Sequence, residues 1–129
     1  MPMADTTEGF SGLQQWSEPL IFDRLFSVYM RMVRDDGLAR GLTRLHARVW
    51  RALIGGDSIS FEALRDTLIS ALEHCSLTRD HLAEVDAEII TELLEVVISR
   101  YNRSHRTARA YHLALMQLAG RLGPARAAA

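Results

Sequence analysis

The sequence predicts an all-α fold of five main helices, and three observations carry that expectation. Apolar residues recur at three- and four-residue steps in five successive stretches, which is the spacing of one helical face. No run of strict alternation bounded by turn residues occurs, so nothing supports strands. Pro19, Pro124 and the Gly55-Gly56 pair fall in a first turn or at the end of a stretch, where helices tolerate or need them.

Taken in order, the first helix is expected over residues 18–33. Ile21, Leu25, Val28, Tyr29, Met32 and Val33 form its stripe, Ser17 serves as N-cap and Pro19 sits in the first turn. Residues 1–17 are largely polar, with Phe10, Leu13 and Trp16 at three-residue steps, and are expected as a partly ordered N-terminal segment with a turn or two of helix on the core. Leu38, Leu42, Leu45, His46, Val49 and Leu53 define the second helix, which Gly55-Gly56 stops. Ser60 is expected to cap a third, with Phe61, Leu64, Leu68, Leu72 and Cys75 in register. Thr78 caps the fourth, whose Val85, Ile89, Ile90, Leu93, Leu94, Val96, Val97 and Ile98 nearly encircle the axis. A helix apolar all round must be covered on several sides, so this one is expected to be the most buried. After a break at residues 102–104, Ala108, Tyr111, Leu115, Leu118 and Leu122 mark the fifth, closed by Gly123-Pro124. The expected organisation is one helical domain over residues 18–123 with a tail at 124–129.

A chain of 129 residues with 48% hydrophobic and 24% charged residues folds as one domain with a core. Its fifteen basic residues, all arginine, against sixteen acidic ones give a net charge of -1, so no overall field draws nucleic acid or an anionic membrane. Charges interrupt every apolar run short of a membrane span, and no basic segment opens an N-terminal signal. With one cysteine, Cys75, a cytoplasmic setting is expected.

The motifs of nucleotide, zinc and hydrolase chemistry are missing, and no nucleophile, base and orienting group recur at recognisable spacing, so an enzyme is not expected. Glu84, Glu88, Glu92 and Glu95 lie at helical steps and read as a solvated face. Arg100, Arg103, Arg106 and Arg109 form a basic run whose role stays open. Among the histidines, His46 and His74 stand out because they fall on consecutive helices joined by a glycine turn. On the third helix Ala63, Thr67, Ser70 and Ala71 share a flank with His74, and small residues leave room. One reading places a haem against that flank with His74 as iron ligand. The other is close helix packing with His74 at its rim.

Phe22-Asp23-Arg24-Leu25-Phe26 followed by Tyr29, the run from Gly41 through His46 to Trp50, and Ala71-Leu72-Glu73-His74 before Leu77-Thr78-Arg79-Asp80-His81 occur in this order. In that order the chain resembles the globin superfamily, in particular the sensory globins of bacteria (globin-coupled sensors and protoglobins), with some likeness to truncated haemoglobins. The resemblance covers about residues 18–122. It implies a globin-like topology, a haem held by His74 as proximal ligand, and Tyr29 and His46 on the distal side. It also implies a sensor of oxygen or another diatomic gas that signals to a separate, unidentified protein. Sensory globins pair through their last two helices, and a short chain has few elements to cover an apolar helix. A homodimer is therefore expected through Leu94, Val97, Ile98, Tyr101, Tyr111 and Leu115. The alternative is a haem-free helical dimer acting as a regulatory protein–protein interaction module.

Overall fold

Each periodic stretch folds as an α-helix in a computed structural model of the protein, which describes residues 2–101 and 105–122. The helices are α1 (Pro2–Val33), α2 (Asp36–Ile54), α3 (Ser58–His74), α4 (Arg79–Tyr101) and α5 (His105–Leu122), and no strand occurs among the described residues. None of these helices is long and apolar enough to cross a membrane.

Helix ends follow local chemistry. The Asp35 carboxylate accepts from the Leu38 N–H at 3.0 Å to open α2, and Asp57 does the same for Ser60 at 3.0 Å to open α3. The cap of α3 is therefore Asp57 and not Ser60, because a residue three positions earlier offers the acceptor. Those bonds from Ser60 hold the Asp57 carboxyl below its ordinary value. At α4 the expected Thr78 cap forms: the His81 N–H points to its hydroxyl at 3.4 Å, while His81 Nδ1 accepts from the Thr78 N–H at 3.0 Å. That exchange is the reciprocal logic of a capping box with an imidazole in the acid's place. Gly56, at φ 77°, leaves α2 through the left-handed region that glycine enters without steric cost.

The largest departure from expectation is α1, which does not start at Ser17. It runs unbroken from Pro2, so residues preceding Ser17 are helical and the hydroxyl that was expected to cap lies in a helix interior. Ser17 is fully buried and its Oγ has no hydrogen-bond partner. Leu13, one turn earlier, is also fully buried, and its packing extends the helix. Pro19 is exposed, where water can serve the carbonyl that its missing N–H leaves free.

α1 packs against α2, α4 and α5, while α2 also packs on α3 and α4 on α5. It thus lies between a pair formed by α2 and α3 and a pair formed by α4 and α5. Ion pairs reinforce both sides: Arg51 of α2 meets Glu18 at 2.6 Å, and Glu88 of α4 binds Arg24 and, at 3.1 Å, Arg31. Arg121 of α5 reaches the Ser58 hydroxyl at 3.2 Å and lies over the Phe61 ring, which joins the end of α5 to the start of α3.

α4 is not the most buried helix among the described residues. Its buried side chains, Leu82, Val85, Asp86, Ile89, Leu93 and Val97, form one stripe, whereas α2 buries nine residues. The apolar residues around the rest of α4 are half-covered or, at Ile98, exposed.

Ser17→Ala separates the two roles of that residue by sign. An N-cap serine lost to alanine costs about 1 kcal/mol. A buried, unpaired hydroxyl inside a helix leaves with a gain of about 0.5–1 kcal/mol. Denaturant unfolding of the variant should show the gain.

Candidate functional site

The core of an all-helical protein is built from apolar stripes, and a charge on such a stripe needs a partner. Asp86 is that charge. It lies one turn after Leu82 and before Ile89 and Leu93, all buried, and is only 4% exposed itself. Its partners come from two other helices. His46 Nε2 lies 2.8 Å from Oδ1, and Trp50 Nε1 donates to the same oxygen at 3.1 Å, both from α2. Arg65 of α3 donates through Nη1 to Oδ2 at 3.2 Å. The second nitrogen of His46, Nδ1, is 2.7 Å from the Tyr29 hydroxyl of α1.

The direction of each bond follows from what each group can do. The Asp86 carboxylate only accepts, so Nε2 of His46 carries a hydrogen and donates it. The Tyr29 hydroxyl, which can donate or accept, pairs with the other ring nitrogen, Nδ1, so the chain Tyr29–His46–Asp86 is satisfied end to end. Burial pushes the Asp86 carboxyl up, but His46 and Arg65 together outweigh it and hold the group below its ordinary value. The Tyr29 phenol moves the other way: burial raises it first, the Asp86 charge adds to this, and Arg65 opposes.

A hydroxyl, an imidazole and a carboxylate in line are the components of an activated nucleophile. Here the hydroxyl and imidazole are both fully buried and the phenol is pushed towards its protonated form, so the arrangement gives rigidity and no nucleophile. The cluster is a cross-link. It joins α1, α2, α3 and α4 at one point, and Asp86 is the hub.

Two of the three residues expected to handle haem, Tyr29 and His46, are brought together, but onto each other. His74 is apart from them, an exposed residue at the last position of α3. The small flank that was to seat the porphyrin is exposed too: Ala63, Thr67 and Ser70 face outward, and the Thr67 hydroxyl bonds back to the Ala63 carbonyl at 3.0 Å. These residues do not fit a haem. Both nitrogens of His46 are engaged and Tyr29 is spent on one of them. Among the described residues no three His, Cys, Asp or Glu side chains converge on a metal position.

Of the expected dimer contacts, Val97 and Leu115 are core residues of the single chain, at 1% and 0% exposure, and cannot also face a partner. Leu94 and Tyr111 are half-buried against the core, Ile98 is exposed, and the Tyr101 side chain lies outside the described residues. Asp86, Trp50 and Arg65 were not foreseen as functional positions. The signal for Asp86 was its place on the apolar stripe of the fourth segment.

Comparison with protein-family models, with curated proteins and with solved structures gives no match.

Asp86→Ala strands a partly buried guanidinium and two buried N–H donors and should cost about 3–5 kcal/mol in chemical denaturation. Tyr29→Phe, which leaves only Nδ1 unpaired, should cost about 1–3 kcal/mol. The folded carboxyl of Asp86 titrates below its unfolded value of about 3.9, so its contribution is present above that pH and is lost as pH falls towards the folded value. A stability profile between about pH 5 and pH 2 should therefore fall steeply in the natural protein and less steeply in Asp86→Asn.

Proposed function

We propose that this protein is a non-enzymatic, haem-free helical module that acts as a homodimer and regulates a separate protein through its helical faces. What supports the reading first is the polar cluster at the centre. A distal histidine must be free to face a ligand, and His46 is held on both sides by Tyr29 and Asp86. The gas-sensing reading with His74 as proximal ligand would require His46 to leave that cluster, at the cost of a buried carboxylate stripped of one donor and left to Trp50 and Arg65.

The dimer is supported by apolar surface on the last two helices. Leu113 and Met116 of α5 and Ile98 of α4 are among the large hydrophobic side chains that remain exposed. Leu113 and Met116 stand one turn apart on the outer face of α5, with Arg106 and Arg109 earlier on the same face. An apolar centre beside charged flanks is the usual composition of a protein interface. The pairing surface is thus moved outward from the expected residues. Val97 and Leu115 hold the chain together, while Leu113, Met116 and Ile98 face the partner copy.

Sedimentation at micromolar concentration should give twice the 14.5 kDa of the chain, and Leu113→Asp with Met116→Asp should reduce it to one. A monomer in the natural protein removes the dimer. Protein incubated with haem should show no Soret band; a stable band that His74→Ala abolishes would restore the sensor reading.

A further inference from the structure

The outward face of α2 carries four arginines. Arg40, Arg44, Arg48 and Arg51 follow at steps of four, four and three residues, and all are exposed. At about 100° per residue they fall within an arc of roughly 80° that lies nearly opposite His46, and the row is about 16 Å long. Its outer members already hold carboxylates, Arg40 with Asp36 at 2.7 Å and Arg51 with Glu18 at 2.6 Å. Arg44 and Arg48, in the middle, have no partner among the described residues.

α4 carries the complementary row. Glu84, Glu88, Glu92 and Glu95 repeat the same steps of four, four and three, and at about 100° per residue they lie nearly opposite Asp86. Glu88 is engaged by Arg24 and Arg31, whereas Glu92 and Glu95 line a surface groove of about 430 Å³ with Leu20, Val96, Ser99 and Arg100.

We infer that the arginine row of α2 docks on the glutamate row of α4 of a second copy, head to tail. Register is the first reason: with equal steps, the two rows match within about one residue, or about 1.5 Å, in either direction. The groove is the second. Leu20 and Val96 offer apolar surface for the alkyl stem of an arginine, and Glu92 and Glu95 accept its guanidinium. Arg100 repels a guanidinium and directs it to the Glu92 side.

Sidedness decides the form of the assembly. His46 and Asp86 face each other across the core, so the row opposite His46 and the row opposite Asp86 point away from one another. One copy cannot join its own rows, and two copies cannot close both contacts around a two-fold axis. The contact is heterologous and propagates. Exposed ion pairs are individually weak and screened by salt, so propagation belongs to high local concentration and low ionic strength. An acidic foreign helix or a phosphate backbone would use α2 alone, and this separates it from a second copy.

Sedimentation equilibrium from about 0.05 to about 1 mM protein, in about 20 mM and about 500 mM sodium chloride, tests the inference. The average mass of the natural protein should climb past that of a dimer with concentration at low salt, and that further climb should vanish at high salt. Arg44→Gln with Arg48→Gln, and separately Glu92→Gln with Glu95→Gln, should each weaken the salt-sensitive step about tenfold with unchanged thermal melts. The two variants mixed one to one should regain a single salt-sensitive contact that stops at one copy of each, because the first keeps the α4 row and the second the α2 row. A climb beyond the dimer that survives high salt or either pair of substitutions, or a mixture that forms no salt-sensitive contact, overturns the inference. Dimerisation through Leu113 and Met116 is apolar and outlasts high salt, so its presence or absence is read separately there.

Discussion

A carboxylate taken out of water must find donors, and Asp86 finds them on two helices while a third is reached through one of those donors. His46 and Trp50 fix the face of α2 that meets α4, Arg65 brings α3 to the same oxygen pair, and Tyr29 locks the far side of His46 to α1. Apolar stripes alone specify that helices pack, but tolerate rotation and sliding by a residue or two. A four-helix set of directional bonds around one charge tolerates neither. The cost is that every member must stay in place, since a half-satisfied buried network is worse than an apolar core.

The remaining architecture is arranged about this point. α1 touches both helix pairs, and its ion pairs with Arg51 on one side and Glu88 on the other use charges that the two pairs present to it. These surface bonds add little energy each. What they add is sidedness, because arginine dominates the outer face of α2 and glutamate that of α4. A chain of net charge -1 is consequently near neutral in total and polar across its width. Net charge excludes long-range attraction of nucleic acid or membrane; it is silent about how the charge is distributed.

The histidines illustrate how one residue type takes opposite fates. His46 and His74 look equivalent as residues at helical steps on neighbouring segments. The first is fully buried and doubly bonded, the second is exposed at the end of α3, and His81 closes the N-terminus of α4 through its ring nitrogen. Whether an imidazole is a ligand, a cross-link or a cap depends on what lies within 3 Å of its two nitrogens. For His46 those neighbours are Tyr29, 17 positions before it, and Asp86, 40 positions after it.

The sequence by itself determined the helices and most of their stops. Apolar spacing, Gly55-Gly56 and Thr78 act within a turn or two of the chain, and the order of five helices could be read from them. The start of α1 escaped because a serine before a proline has the local signature of a cap, while burial of Leu13 and Ser17 against other helices carried the helix through. Val97 and Leu115 were readable as apolar, but not as facing inward where Ile98 and Leu113 face outward. That choice depends on which neighbour each helix meets. Asp86 was passed over although it is a charge on an apolar stripe, and its partners lie on helices separated from it by whole elements of chain. Periodicity encodes a face; only the packing of one face on another decides which polar groups come within hydrogen-bond reach.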